Sequence, residues 1–245
     1  TTGFVPAAVF ASSGTTGTVT SRHAIKDPGL YEQSFTTGFQ HFYGHITEWC
    51  VIGLLPSYLE RSNSSLVVMV DALIRDSGHP DSGFYLYDHA TLYAVLQRLE
   101  AQGQKTLLIG VTFALLDFAE HYSLSLKYTV FMETGGMKGR RKEMIREELH
   151  KQLCAGFDVS AIHSEYGMTE LLSQAYSKGE GIFYCPPWMK VITRDTNDPL
   201  EILKNNITGG INVIDLANIN SCSFIATQDL GKIYSDGSFE VLGRF

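Results

Sequence analysis

The sequence predicts an α/β protein in which a mainly parallel sheet flanked by helices is followed by a smaller β-rich unit. Three observations carry that prediction. From about residue 50 to about residue 155, short β-branched or apolar runs alternate with helical patterns, as stacked βαβ units require. Tyr128 to Met132 reads as a strand that feeds a glycine turn, Glu133-Thr134-Gly135-Gly136. After about residue 180 the alternation gives way to short strand runs and a hairpin signal at Asp236-Gly237. These features divide the chain into an α/β core over 1–180 and a β-rich subdomain over 181–245.

Taken in order, Leu66 to Val70 reads as a buried strand because five apolar residues stand together. Thr91 to Gln102 puts Leu92, Val95, Leu96 and Leu99 on one helical face, and Gly103 is a stop signal. Lys105 to Thr112 is the next strand, Ala114 to Tyr122 the next helix. Over Lys138 to Leu153, Ile145, Leu149 and Leu153 recur every four residues while Arg140, Arg141, Glu147 and Glu148 take the other side, which predicts an amphipathic helix. In the tail, Ile211 to Ile214 is a strand, and Lys232 to Tyr234 pairs with Phe239 to Val241 across the hairpin.

Composition narrows the function. With 44% hydrophobic and 18% charged residues, the chain can bury a sizeable core and is not a disordered segment. Its net charge of −7 argues against nucleic acid or an anionic membrane surface as partner. Cys50, Cys154, Cys185 and Cys222 form neither a disulfide scaffold nor a zinc set, which points to the cytoplasm. Cys50 and Cys222 lie in apolar runs and read as packed thiols. The longest apolar run, Leu107 to Ala119, is interrupted by Gly110, Thr112 and Asp117 and falls short of the roughly 18 residues of a membrane span. Thr1-Thr2-Gly3-Phe4 lacks the features of a signal peptide, so the start reads as internal or trimmed.

Two segments suit a nucleotide. Ser12-Ser13-Gly14-Thr15-Thr16-Gly17 follows the apolar run Ala8 to Ala11. Its glycines free the backbone, and its hydroxyls and successive N–H groups can surround phosphate oxygens. The plain alternative is a Ser/Gly surface loop. It is not a Walker A loop, since no GxxxxGK[ST] occurs. In Tyr166-Gly167-Met168-Thr169-Glu170, an aromatic ring can stack on a base, a hydroxyl can donate to phosphate, and a carboxylate can ligate Mg²⁺. The plain alternative there is a solvated turn.

Both segments resemble core motifs of the adenylate-forming enzymes, a superfamily of acyl-CoA synthetases, peptide-synthetase adenylation domains and beetle luciferases. Asp229 with Gly231, and Gly243-Arg244, resemble its later ribose-binding motifs. Within the superfamily, the blocks Leu54 to Arg61, Gly110 to Asp117, Glu133 to Glu143 and Val213 to Asn218 look like those of the acyl-protein synthetase family of the bacterial luminescence fatty-acid reductase complex.

The resemblance implies the N-terminal core fold of that superfamily. It implies that a fatty acid and ATP give acyl-AMP, with Mg²⁺ as cofactor, and that the acyl group then passes to a protein cysteine. It further implies that Ser12 to Gly17 hold phosphate, Gly135, Gly136 and Met137 line the adenine pocket, and Tyr166 with Gly167 packs on adenine. Thr169 would contact the α-phosphate, Glu170 would hold Mg²⁺, and Asp229 with Arg244 would fix the ribose. Thr169 and Glu170 are thus the catalytic candidates. An acyl-CoA reductase and an acyl transferase protein are the implied partners. The acceptor cysteine of the family lies beyond Phe245, and none of the four cysteines is assigned that role.

Two departures leave alternatives open. Thr18-Val19-Thr20 stands where relatives carry a Pro-Lys pair, leaving Arg22 and His23 as the nearest cations, and the late-acting lysine of a small C-terminal domain has no counterpart. A CoA ligase of the phenylacetate-CoA ligase type and a catalytically inactive nucleotide-binding or acyl-AMP-binding protein are the competing readings. Weaker signals stand beside these. His23 and Asp27 match an HxxxD acyltransferase pattern that short motifs meet by chance, and Arg140-Arg141-Lys142 reads as a solvated helix face. Phe113, Leu115, Leu116 and Phe118 read as core rather than acyl tunnel.

Overall fold

A computed structural model describes residues 3–12, 21–55, 63–135 and 144–245. Strands β1 (Ala8–Ala11) and β2 (Arg22–Ile25) form an antiparallel pair, with Phe10 opposite His23. Helix α1 (Pro28–Tyr43) follows, started by Asp27, whose side chain accepts from the Gly29 N–H, and by Pro28 in its first turn. β3 (Cys50–Leu54), α2 (Ser65–Ser77), β4 (Gly83–Phe84), α3 (His89–Gln102), β5 (Thr106–Val111), α4 (Thr112–His121), β6 (Thr129–Thr134), α5 (Arg146–Phe157) and β7 (His163–Tyr166) then alternate. The tail adds β8 (Ala175–Ser177), β9 (Ile182–Tyr184), β10 (Met189–Arg194), β11 (Gly209–Asp215), β12 (Phe224–Ile233) and β13 (Phe239–Arg244).

Among the described residues, eleven strands make one sheet in the order β10-β11-β12-β13-β9-β8-β7-β6-β5-β3-β4. The sheet is mixed. From β4 to β7 every pairing is parallel, and from β7 to β10 every pairing is antiparallel. The parallel half has helices between its strands, so β3 and β5 are buried along their whole length and read as continuous apolar runs. The antiparallel half alternates buried and exposed residues, as β12 shows. One large apolar cluster underlies the parallel half, and a smaller one gathers Tyr166, Leu171, Phe183, Val213 and Phe239. Phe113, Leu115, Leu116 and Phe118 all belong to the large cluster.

Two sequence expectations are corrected. Leu66 to Val70 is not a strand but the first turns of α2. The Ser64 hydroxyl accepts from the Val67 N–H, Gly78 closes the helix in the left-handed region, and Met69, Val70, Leu73 and Ser77 supply a buried face. A five-residue apolar run fits either period, and the N-cap decided it. The amphipathic helix expected over 138–153 begins at Arg146. Ile145 precedes it and is exposed, while Leu149, Leu153 and Phe157 form the buried face. The Arg140-Arg141-Lys142 cluster lies outside the described residues.

Candidate active site

The parallel strands end together. β5 stops at Val111, β6 runs into Gly135, and β7 ends at Tyr166, so the carboxyl edge of the sheet collects Thr112, Gly135 and the Tyr166 to Glu170 segment, the place where open α/β sheets bind ligands. Gly135 has φ of 69°, a left-handed value that suits glycine, and its carbonyl accepts from Thr112 Oγ1 at 2.9 Å. Beneath it lies the buried carboxylate of Glu133, held by Thr112 Oγ1 at 3.1 Å and Ser164 Oγ at 3.0 Å, with Arg146 Nε at 3.9 Å and His150 Nε2 at 3.5 Å on its flank. Gly136 and Met137, the rest of the expected adenine loop, lie outside the described residues.

Tyr166 closes β7 and belongs to the interior. Its ring packs edge-on against Phe183 and Phe239, and its hydroxyl donates to Asp229 Oδ2 at 2.9 Å. Asp229 and Arg244 are register partners on β12 and β13, and Arg244 Nε reaches Asp229 Oδ1 at 3.2 Å. Asp229 is buried and Arg244 exposed, so the acid is fixed from inside while the guanidinium faces solvent. Burial and the Asp229 charge push the Tyr166 phenol well above its ordinary value, so it stays a donor. Three of the expected site residues, from the seventh, twelfth and thirteenth strands, therefore meet.

Gly167 follows, and a Cβ there would come within 2.3 Å of Glu165 Oε1. Thr169 and Glu170 occupy the turn between β7 and β8, closed by the Leu171 N–H to the Met168 carbonyl at 3.0 Å. Neither the Thr169 hydroxyl nor the Glu170 carboxylate makes a hydrogen bond or ion pair among the described residues, and both residues are partly exposed. Their backbone is held tightly. The Thr169 carbonyl accepts from His23 Nδ1 at 2.9 Å, and the Glu170 carbonyl accepts from Asn218 Nδ2 at 2.7 Å.

His23 connects this turn to the hydroxyl-rich segment. It sits on β2, two residues beyond Ser21, whose N–H donates to Ser12 Oγ and whose carbonyl accepts from the Ser12 N–H. Ser12 and Ser21 thus close the stem of the loop. Ser13, Gly14, Thr15, Thr16 and Gly17 lie outside the described residues. The HxxxD pattern forms no pair, because Asp27 caps α1 while both ring nitrogens of His23 are engaged elsewhere.

Asp215, at the end of β11, escaped the sequence reading as a site residue. It is fully buried and accepts from the N–H groups of Leu172, Ser173 and Ala217, from Ser173 Oγ, and from Asn218 Nδ2. The segment after Glu170 is therefore pinned by one carboxylate. The block Val213 to Asn218 was the only signal of it. Cys222, expected to be packed, is exposed, because β12 begins only at Phe224 and the preceding turn faces solvent.

Among the described residues no cluster of three or more His, Cys, Asp or Glu could hold a metal. Mg²⁺ asks for less: it takes one or two carboxylates and completes its shell with phosphates and water. Glu170, whose carboxylate has no partner among the described residues, offers one group of that kind. No helix among the described residues is long and apolar enough to cross a membrane.

No protein-family model matches the sequence, and no curated protein matches it. Solved structures do. ATP-bound MatB from Rhodopseudomonas palustris superposes with a TM-score of 0.71 at 18% identity, over 98% of this chain and 48% of MatB. O-succinylbenzoate coenzyme A synthetase (MenE) from Bacillus subtilis, in complex with ATP and magnesium ion, gives 0.65 at 17% identity, over 96% of this chain and 49% of that one. The luciferase-like enzyme of the nonluminescent mealworm Zophobas morio gives 0.59 at 17% identity, over 98% and 58%. The chain spans about half the length of most of these proteins, and it shares their α/β fold.

Proposed function

We propose that this chain forms an ATP-dependent acyl-activating site, which converts a fatty acid to its acyl adenylate and then passes the acyl group to a protein cysteine thiol. The observation that carries this reading is the His23 to Thr169 hydrogen bond, which brings the stem of the Ser12 to Gly17 loop against the Tyr166 to Glu170 segment. His23, two residues beyond the Ser12–Ser21 pair, and Thr169, within the second motif, are 146 residues apart in sequence and are joined by this bond.

In the reaction, a carboxylate oxygen attacks the α-phosphorus of ATP, the bond to the bridging oxygen breaks, and pyrophosphate leaves with the electron pair. A thiolate then attacks the acyl carbonyl and AMP departs. The first step needs no side-chain nucleophile from this chain; positioning and charge neutralisation suffice. The loop amides and hydroxyls would cradle phosphate, Thr169 would contact the α-phosphate, and Glu170 would hold Mg²⁺, which neutralises phosphate charge when bound. Gly135, Gly136 and Met137 would line the adenine pocket beside Tyr166 and Gly167. Asp229, oriented by the Tyr166 hydroxyl, would take the ribose with Arg244. In this reading residues 181–245 complete the nucleotide site begun by 1–180, and the reaction belongs in the cytoplasm, with an acyl-CoA reductase and an acyl transferase as partners.

The coenzyme A synthetase among the structural neighbours favours a second acceptor, the CoA thiol. ATP–pyrophosphate exchange with a panel of carboxylic acids tests both. Exchange with fatty acids and no CoA thioester supports the proposed reading, CoA thioester release supports the second, and ATP binding without exchange removes both in favour of an inactive binder. Glu170→Gln is expected to abolish exchange while the fold persists.

A further inference from the structure

The Thr169–Glu170 turn is held by a chain of side chains with no part in the chemistry just described. His23 Nδ1 lies 2.9 Å from the Thr169 carbonyl, which can only accept, so that nitrogen carries a proton. On the other side of the ring, Nε2 lies 2.9 Å from Ser221 Oγ. Ser221 Oγ, whose one proton serves either His23 Nε2 or Asn218 Oδ1, lies 2.9 Å from Asn218 Oδ1, and Asn218 Nδ2 donates to the Glu170 carbonyl at 2.7 Å and to Asp215 Oδ2 at 3.3 Å. The Glu170 carbonyl fixes which end of the Asn218 amide carries nitrogen. The circuit leaves His23 and returns to the neighbouring peptide, so the two successive carbonyls of Thr169 and Glu170 are grasped from opposite ends. His23 and Asn218 are buried, and His23 lies directly on the strand leaving the Ser12–Ser21 stem.

We propose that His23 is a positioning residue: the His23–Ser221–Asn218 circuit sets the Thr169–Glu170 turn at a fixed distance from the phosphate-loop stem. The inference rests on the acyl-activating reading for its kinetic consequence but not for its structural one. Buried hydrogen-bond networks of this kind rigidify the backbone they hold. A displacement of about 1 Å in a positioned group costs on the order of 100-fold in rate.

The test uses the full chain and three variants, His23→Ala, His23→Asn and Ser221→Ala. Asn places its amide nitrogen where Nδ1 stood, so it keeps the Thr169 bond. Deuterium uptake of the peptide spanning 166–173 is measured first, without ligand. His23→Ala is expected to raise uptake there, Ser221→Ala to raise it less, and His23→Asn to stay near wild type. Unchanged uptake in His23→Ala overturns the proposal. Pyrophosphate exchange is measured second. His23→Ala is expected to lower kcat on the order of 10- to 100-fold with KM for the carboxylic acid unchanged, and His23→Asn to recover most of it. Equal kcat losses in the Ala and Asn variants, or a change confined to KM, would overturn it as well. A wild-type chain without exchange sinks the acyl-activating reading alone, because the uptake measurement still decides the positioning role.

Discussion

The Tyr166 hydroxyl donates to Asp229 Oδ2 at 2.9 Å, joining the end of the parallel half of the sheet to a strand 63 residues later in the antiparallel half. The other oxygen of Asp229 faces Arg244. The acid is therefore held in one rotamer by an interior donor while its cationic neighbour stands in solvent. Tyr166→Phe keeps the ring between Phe183 and Phe239 and removes only the donor. It leaves a buried carboxylate oxygen short of a partner, a loss of about 1–3 kcal/mol. Chemical denaturation should show that loss, and nucleotide binding should weaken in parallel; wild-type stability in the variant would mean that Asp229 does not depend on Tyr166.

β7 carries two titrating groups of opposite sign. Burial, reinforced by the charge of Glu133 and opposed by the Thr134 hydrogen bond, raises Glu165 from 4.5 to about 7. Burial, with the charge of Lys178, lowers His163 from 6.5 to about 4, and its Nδ1 lies 3.1 Å from the Tyr43 hydroxyl oxygen. Folded Glu165 binds its proton more tightly than the unfolded chain does, so its contribution is full below pH 4.5 and is lost as pH rises to about 7. Folded His163 binds its proton less tightly, so its contribution is full above pH 6.5 and is lost as pH falls to about 4. Between pH 4.5 and 6.5 the two slopes, each about 1.4 kcal/mol per pH unit, cancel. Glu165→Gln should therefore gain stability as pH rises through that window, and His163→Asn should lose it, when unfolding in urea is followed at several pH values. Parallel profiles for all three proteins would refute the pair.

Gly231 lies at the bulge between the Asp229–Arg244 pair and the rest of the β12–β13 ladder. A Cβ there would sit 2.4 Å from the Glu240 carbonyl oxygen and 2.6 Å from Ile211 Cδ1. Backbone cannot yield as a side-chain tip can. Gly231→Ala should cost about 1–3 kcal/mol, each kcal/mol lowering Tm by about 2–4 °C. Because the strain falls beside Asp229, nucleotide affinity should drop too, and a variant with unchanged Tm would show that the bulge relaxes freely.

Local rules made much of the fold legible. The 3.6-residue period of Leu92, Val95, Leu96 and Leu99 with Gly103 as stop marked α3, and the apolar run before Gly110 marked β5, because these elements bury one face or both against the same core. Leu66 to Val70 misled because the deciding group, Ser64, lies outside the apolar run. The Asp229–Arg244 pair was legible through motif resemblance, since a hairpin register brings them together. His23, Ser221, Asn218 and Asp215 were not. His23 and Ser221 are 198 residues apart, each is a common polar residue with no local periodicity, and only the folded sheet makes them neighbours.

The cysteines should separate by reactivity. Burial pushes the Cys50 thiol up to about 11 and that of Cys185 up to about 12, and it raises Cys154 as well. Thiolate is the nucleophile, so these three are poorly reactive near pH 8 in the folded state. Cys222 is exposed. Brief iodoacetamide treatment followed by mass spectrometry should label Cys222 first, with Cys50 and Cys185 labelled only on unfolding. Early labelling of Cys50 would contradict its burial in β3.

Asp215 meets donors alone: the Leu172 and Ser173 N–H groups and Asn218 Nδ2 on Oδ2, the Ser173 hydroxyl and Ala217 N–H on Oδ1. In Asp215→Asn one of these oxygens becomes a donor. Placing the amide nitrogen at the Oδ1 side is the cheaper orientation, because the Ser173 hydroxyl can turn and accept, leaving only the Ala217 N–H unanswered. Asp215→Asn should then cost about 1–3 kcal/mol, whereas Asp215→Ala strands all five donors and should cost more, with faster amide exchange at Leu172 and Ser173. Denaturant titration of the two variants separates the cases. Equal losses would mean that water enters and replaces the carboxylate, and that the segment after Glu170 is held by its own turn rather than by Asp215.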